Sequence, residues 1–142
     1  MAMELSEIYS FVQTERLAVL STCAVGGQPE SALVGFAASP SLEIVFDTVK
    51  SSRKYPILMS NPRVALVIGC ATEVTVQYEG TAEELDDAED GKYLQIYYAV
   101  YPDGRARRSW PGIVYFVVRP KWVRYCDYNP GRRRIEEISF KF

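Results

Sequence analysis

A series of short apolar segments, separated by turns of a few residues, constrains the fold of this chain more than any other feature. Residues 74–83 alternate apolar and polar side chains, which is typical of a half-buried strand. Further strands are predicted over residues 16–22, 30–37, 43–48, 64–69, 113–118, 120–125 and 135–140. Residues 120–125 either extend the preceding strand beyond Pro120 or form a separate strand. Residues 135–140 are interpreted as an edge strand. Because short turns join consecutive strands, the sequence predicts antiparallel pairing of six or seven strands.

Helical patterns are fewer and lie between these strands. They are predicted over residues 4–14, 54–60 and 86–98, which gives two or three helices. Gly80 interrupts the alternating strand and indicates a bulge or tight bend, as at the corner of a barrel. The predicted fold class is therefore mainly β (α+β), a closed or nearly closed antiparallel barrel with flanking helices.

The length of 142 residues suits one domain, predicted over residues 1–142, and needs no disulfide to hold its core. The formal net charge of −2 argues against a dedicated nucleic-acid-binding protein, which carries a basic excess. Histidine is absent, which excludes Ser-His-Asp and Cys-His catalysis and every histidine-ligated metal site.

The three cysteines lie far apart without a Cys-x-x-Cys pair, so no zinc or redox-disulfide site is predicted. Cys70 is expected in the core, and Cys23 and Cys126 near strand ends, partly exposed. The odd number of cysteines, the absence of a signal-peptide pattern and the absence of a long apolar run favour a cytoplasmic protein without membrane contact.

The segment Phe46–Lys54 combines hydroxyl groups with two adjacent cations between a strand and a helix. Thr48 and Ser52 can donate hydrogen bonds, Arg53 can bind two phosphate oxygens at once, and Lys54 adds a compact charge. This combination predicts a phosphate-binding loop. A solvated basic turn is the alternative.

Pro56 complicates the start of the following helix. If Ser52 caps the helix, Pro56 lies just beyond the positions where a missing N–H has no cost. A helix that begins one or more residues later removes the conflict. The sequence does not decide between the two.

The order of Thr48, then residues 52–54, then Asn-Pro-Arg-Val at residues 61–64 resembles the pyridoxamine 5′-phosphate oxidase-like family of FMN-binding split barrels. The resemblance implies a split barrel in which Thr48, Ser52, Arg53 and Lys54 hold the phosphate of FMN. It also implies a homodimer with the cofactor at the subunit interface, and an oxidoreductase that acts on a small molecule.

The resemblance further implies that two strands hold the flavin ring. By position these contacts fall on Ala32, Leu33 and Val34, then on Phe46 and Asp47, and main-chain groups can make them whatever the side chains are.

The chain also departs from the oxidase itself. Residues 31–36 lack the oxidase's opening Arg and its Leu-Leu-Lys end, and the later Arg-x-His substrate segment cannot exist without histidine. Pyridoxamine phosphate oxidation is therefore not expected. Thr75 stands where the oxidase has a flavin-contacting Gln and is a weak candidate.

Trp110 and two arginine clusters are further candidates for a role at the site. Trp110 is expected in core or interface packing, with stacking beside the ring from a partner subunit as the alternative. The clusters Arg105–Arg108 and Arg132–Arg134 are expected to be solvated loop charges, with a clamp on an anion as the alternative for the first.

Three hypotheses for the function follow from the sequence: an FMN-dependent oxidoreductase, a flavin-binding stress or redox-sensing module without robust turnover, and a β-barrel dimer without a cofactor.

Overall fold

The computed structural model describes residues 3–86 and 91–141. In chain order the elements are α1 (Leu5–Val12), β1 (Leu17–Cys23), β2 (Pro29–Gly35), β3 (Ala37–Ala38), β4 (Ile44–Val49), α2 (Lys54–Ser60), β5 (Arg63–Ile68), β6 (Val74–Glu84), α3 (Gly91–Val100), α4 (Gly104–Arg107), β7 (Ile113–Asp127) and β8 (Arg134–Ser139). The predicted mainly β fold with flanking helices is confirmed.

One antiparallel sheet contains all the described strands, in the order β2-β1-β5-β6-β7-β4-β3, with β8 also paired to β7. The two strands at the ends of this order, β2 and β3, are separated in the chain by Phe36 alone. The sheet must therefore curl until its ends meet, which makes a barrel. Because β3 pairs with only two residues of β4, the barrel stays open between β2 and the rest of β4.

The elements differ from the expectation in one divided strand, one additional helix and the bounds of α3. The strand predicted over residues 30–37 divides at Phe36 into β2 and β3. Of the two alternatives for residues 120–125, the extension of the preceding strand beyond Pro120 is correct, because β7 is continuous. The short helix α4 was not predicted. Of the helix predicted over residues 86–98, residues 87–90 lie outside the described residues, Asp86 is not helical, and α3 continues to Val100.

The bulge predicted at Gly80 is confirmed. Glu79 pairs with Trp122 and Gly80 with Pro120, so Lys121 is an extra residue on β7. A Cβ built on Gly80 would lie 2.4 Å from the carbonyl oxygen of Arg119, which leaves room for glycine only.

Two apolar clusters stabilise the sheet from opposite faces. The larger fills the barrel and includes Ile8 of α1, Leu20, Phe46 and Phe116. The smaller lies on the outer face of β4 and β7, under the tyrosine-rich helix α3. Within the described residues no helix is long and apolar enough to cross a membrane.

Two of the three cysteines differ from the expectation, whereas Cys23 is partly exposed as expected. Cys70 is exposed because it lies beyond the end of β5 at Ile68, and Cys126 is buried inside β7.

Candidate functional site

The predicted phosphate loop joins the end of β4 to the start of α2. Thr48 is buried near the end of β4, and its hydroxyl donates to the Ser52 hydroxyl oxygen over 3.1 Å. Because Ser52 accepts this bond, its own O–H remains able to donate to a ligand. The loop therefore presents one oriented hydroxyl rather than two competing ones.

The position of α2 resolves the difficulty raised by Pro56. Arg53 is the N-cap residue and the helix begins at Lys54, which makes Pro56 the third helical residue. The N–H groups of the first helical residues have no partner within the helix, so proline costs nothing there. The later helix start is the correct alternative.

The two cations of the loop differ in their surroundings. The Arg53 side chain is 80% exposed, and its Nε lies 3.5 Å from Oε2 of Glu30, at the start of β2. That carboxylate oxygen is buried and has no hydrogen-bond partner among the described residues. Lys54 is half-buried at the first turn of α2. Glu30 thus holds the Nε side of Arg53 while most of the guanidinium faces outward.

The hydrogen-bond register of β2 decides which of its main-chain groups are free. The N–H of Phe36 donates to the carbonyl of Arg16, and antiparallel pairs alternate between bonded and non-bonded residues. Ala32 and Val34 therefore bond to β1, while Ser31 and Leu33 direct their N–H and C=O groups to the open edge. No described strand pairs with that edge.

The same reasoning applies to β4. The N–H of Lys50 donates to the carbonyl of Gly112 over 2.8 Å, so Phe46 and Thr48 bond to β7. Asp47 directs its main-chain groups to the other edge, where the pairing with β3 stops at Val45. The opening of the barrel is thus lined by free main-chain groups from both sides, β2 and β4.

The side chains of the predicted ring-binding residues mostly point elsewhere. Val34 and Phe46 are buried in the barrel, where the Phe46 ring stacks on Phe116 with centroids 5.4 Å apart. Ala32 is half-buried, and Leu33 is 64% exposed on the outer face of the sheet. Any ligand in the opening would meet main-chain atoms rather than these side chains.

Asp47 anchors β4 on its outer face. Its carboxylate accepts from Nε of Arg107 over 3.2 Å, and Arg107 also donates to Asp103 and to the hydroxyl of Tyr97. Burial opposes the guanidinium charge, but hydrogen bonds to Tyr97 and Asp47 outweigh it and raise the pKa of Arg107. Burial first, and then the charge of Asp47, raises the pKa of Tyr97 and keeps the phenol protonated. Arg107 is therefore part of a half-buried network, and the expectation of a solvated charge was wrong for this residue.

Other predicted residues are placed apart from the loop or at its border. Thr75 pairs with Cys126, at the opposite end of β7 from the strand residues that pair with β4, so the single chain does not bring Thr75 to Thr48. Trp110 is 53% exposed, which excludes core packing, and its segment meets the loop through the bond between Lys50 and Gly112. The cluster Arg132–Arg134 pairs with acidic or aromatic neighbours at the surface.

The sequence did not indicate Ser31 or Glu30, nor the pairing of Arg107 with Asp47. Ser31 and Glu30 lie beside predicted residues on β2, but side-chain alternation does not reveal which main-chain groups a neighbouring strand uses. Arg107 is 60 residues from Asp47 in the chain, and no local pattern links them.

Comparison with known proteins agrees with this fold. A family model described as pyridoxamine 5′-phosphate oxidase matches residues 5–127. No curated protein matches the chain significantly in sequence.

Solved structures share the fold. A heme-binding protein from Mycobacterium smegmatis aligns with a TM-score of 0.80 and 16% identity, over 98% of this chain and 59% of that chain. General Stress Protein 26 from Bacillus anthracis aligns with a TM-score of 0.75 and 23% identity, over 97% of this chain and 100% of that chain. An FAD-binding protein from Mesorhizobium loti aligns with a TM-score of 0.66 and 23% identity, over 85% of this chain and 90% of that chain. Identities this low show a shared split-barrel fold and no more.

Proposed function

The chain belongs to the pyridoxamine 5′-phosphate oxidase family, and from this premise we propose that it is an FMN-binding flavoprotein and an oxidoreductase of a small molecule. The observation that carries the proposal is that two features of a flavin site, a phosphate-binding loop and a free strand edge, lie on the same strand. The loop of hydroxyls and cations lies at the end of β4, the strand whose free edge lines the opening opposite β2.

The phosphate of FMN would be held by the loop. Thr48 orients Ser52, whose free O–H can donate to a phosphate oxygen. Arg53 and Lys54 would add charge-assisted hydrogen bonds, which are the strong ones in proteins. Glu30 limits the swing of Arg53 through the contact at Nε.

The flavin ring would lie along the opening. Ser31 and Leu33 on β2 and Asp47 on β4 offer free N–H and C=O groups, which match the alternating donors and acceptors of a flavin's polar edge. This form of binding depends on strand register rather than on side-chain identity. Within the region expected to contact the ring, around residues 32–34 and 46–47, we therefore assign the contacts to the free main-chain N–H and C=O groups.

The donor set favours a flavin over a heme, although the Mycobacterium smegmatis protein is a heme-binding one. A heme iron needs an axial His, Cys, Met or Tyr. The sequence contains no histidine, which excludes a proximal histidine as the axial ligand. Hydroxyls and cations on one loop instead suit the terminal phosphate of FMN.

When bound, FMN would supply the electron-transfer chemistry, and the protein would supply binding, orientation and electrostatics. The Asp47 carboxylate is turned away from the opening by Arg107, so it is not placed as a general acid or base there. The reaction would therefore depend on how the two strand edges orient the ring toward a small-molecule substrate.

Equilibrium binding of FMN and riboflavin to the purified chain tests the proposal. We expect one FMN per chain, a yellow complex, and much weaker binding of riboflavin, which has the same ring without the phosphate. Bleaching of the complex by NADH or NADPH, followed by recovery in air, would support the oxidoreductase. Failure of FMN to bind would refute the proposal.

A second candidate is a flavin-binding stress or redox-sensing module without robust turnover. The engagement of the Asp47 carboxylate by Arg107 favours it, because it keeps this carboxylate from acting as an acid or base at the opening, and General Stress Protein 26 shares the fold. A complex that binds FMN stoichiometrically but is not bleached by either nicotinamide would favour this candidate.

We also propose a homodimer. Val19 lies directly between Leu33 and Val67 across β2, β1 and β5, and the three side chains are 39%, 64% and 43% exposed. With Leu17 beside them, they form an apolar row on the outer face of the sheet, which a second copy would bury. We also propose a cytoplasmic location, because all three cysteines are free.

A further inference from the structure

A second cavity lies on the other side of β1 from the barrel opening. Its volume is about 380 Å³, and its walls come from the ends of β1 and β5, from β6 and from the β7 bulge. The opening lies between β2 and β4, whereas this cavity is bordered by β5 and β6. The two regions adjoin at Pro29 and Glu30, because Glu30 pairs with Thr22 across β1 and β2 and contacts Arg53 of the phosphate loop. A volume near 300–1,000 Å³ is typical of small-molecule sites.

A buried, unpartnered hydroxyl distinguishes the cavity. Thr22 lines it, is only 4% exposed, and its Oγ1 has no hydrogen-bond partner among the described residues. A buried polar group without a partner is costly and rare in proteins. Its neighbours Val64 and Ala65 are apolar, so the cavity suits an organic group that also accepts or donates one hydrogen bond better than it suits water alone.

The charges at this cavity favour an anion. Arg63 and Lys121 line it with a single carboxylate, Glu79, and all three residues are exposed. Within the described ranges neither cation makes an ion pair, and Arg63 contacts only the side-chain oxygen of Asn61. Lys121 is placed here by the bulge opposite Gly80, because it is the extra residue of β7.

We propose that this cavity is a binding site for a small carboxylic acid with an apolar body. The apolar body would contact Val64 and Ala65, the Thr22 hydroxyl would hydrogen-bond to the carboxylate, and Arg63 and Lys121 would balance its charge. The site is separate from the proposed flavin site and does not depend on it.

Octanoate is the probe, and octan-1-ol is its neutral counterpart of equal chain length. Isothermal titration of the full wild-type chain should show one octanoate per chain, bound at least fivefold more tightly than octan-1-ol. The affinity for octanoate should fall as salt rises, because the cations are exposed. Saturating FMN should leave octanoate binding unchanged.

Thr22→Val tests the hydroxyl, because valine keeps the shape of threonine. It should weaken octanoate about fivefold, the value of one ordinary hydrogen bond. It should also raise the melting temperature of the free protein, because it removes a buried group without a partner. Thr75→Val, the same change at a half-buried site remote from the cavity, should leave the octanoate affinity unchanged.

Arg63→Gln tests the charge at an exposed position where folding is not at risk. It should weaken octanoate about threefold and leave octan-1-ol unchanged. The proposal is overturned if octanoate binds no better than octan-1-ol, if Thr22→Val and Arg63→Gln both bind like the wild type, or if FMN displaces octanoate.

Discussion

Removal of both loop cations, by Arg53→Ala together with Lys54→Ala, should abolish most of the preference for FMN over riboflavin. A hydrogen bond to a charged group contributes about 1.5–3 kcal/mol. We use the lower end for each cation, because the Arg53 side chain is 80% exposed and solvent screens it. The two together give about 3 kcal/mol, which corresponds to a loss of roughly 150-fold in FMN affinity.

Riboflavin separates the phosphate contribution from every other effect. Because riboflavin lacks the phosphate, its affinity should change by less than about twofold in the double variant, within the scatter of surface substitutions. Fluorescence titration of both flavins, against wild type and variant, gives the four dissociation constants. The ratio of FMN to riboflavin affinity is then the measured quantity, and it is insensitive to the active fraction of either preparation.

The fold should survive the substitution. The Arg53 side of the ion pair with Glu30 is exposed, so the pair itself stabilises the fold by about 1 kcal/mol or less, but its removal also leaves the buried Glu30 oxygen without its cation; the thermal stability of the variant is therefore measured beside its FMN affinity. Arg133→Ala with Lys141→Ala is the matched control, because it removes the same formal charge at exposed sites before and after β8. An FMN affinity that falls equally in both double variants would assign the effect to net charge. An FMN affinity unchanged in the Arg53/Lys54 variant would refute the assignment of the phosphate site.

Three further outcomes are expected. Gly80→Ala should lower the free energy of unfolding, measured in urea, by about 1–3 kcal/mol, because its Cβ would lie 2.4 Å from a carbonyl oxygen. Gly26→Ala is the control and should change this free energy by less than about 0.5 kcal/mol, because a Cβ on Gly26 would have no atom within 4 Å. Val19→Lys should convert the proposed dimer to a monomer in light scattering without unfolding it, since its side chain faces outward; a dimer that persists would place the interface elsewhere. Burial raises the pKa of Tyr78 and of Tyr97, so the unfolded chain releases these phenolic protons first and stability should be full below pH 10 and fall as the pH rises further. Urea midpoints at pH 8, 10 and 11 measure this, and a midpoint that rises with pH would contradict it.

Local patterns were sufficient to predict most strands, because alternation and apolar runs are direct consequences of burial on one face or two. The bulge was predictable for the same kind of reason, since only a glycine fits against the Arg119 carbonyl. The division at Phe36 was not predictable. It arises because the two ends of the strand order must meet, which is a property of the whole sheet and not of residues 30–37.

The same distinction, between local side-chain patterns and the arrangement of the whole sheet, applies to the candidate site. Thr48, Ser52, Arg53 and Lys54 can be proposed as a phosphate loop from the sequence alone, because their side chains carry the hydroxyls and cations that such a loop needs, and this assignment stays a prediction. The role of Glu30 was not predictable, because its approach to Arg53 depends on how closely the start of β2 comes to α2. The buried oxygen of Glu30 makes no hydrogen bond among the described residues, and the Arg53 guanidinium is the cation recorded beside it.

Strand register determines which main-chain groups of β2 remain free at the open edge. Side chains and main-chain groups both alternate with a period of two, but which residues bond to β1 is set by the turn at Ala24–Gln28, where the Ala24 N–H bonds to the Gln28 carbonyl. That turn directs Ser31 and Leu33, not Ala32 and Val34, to the open edge. Main-chain recognition would also explain how the chain can lack the oxidase's side chains over residues 31–36 and still keep the edge that a flavin would use.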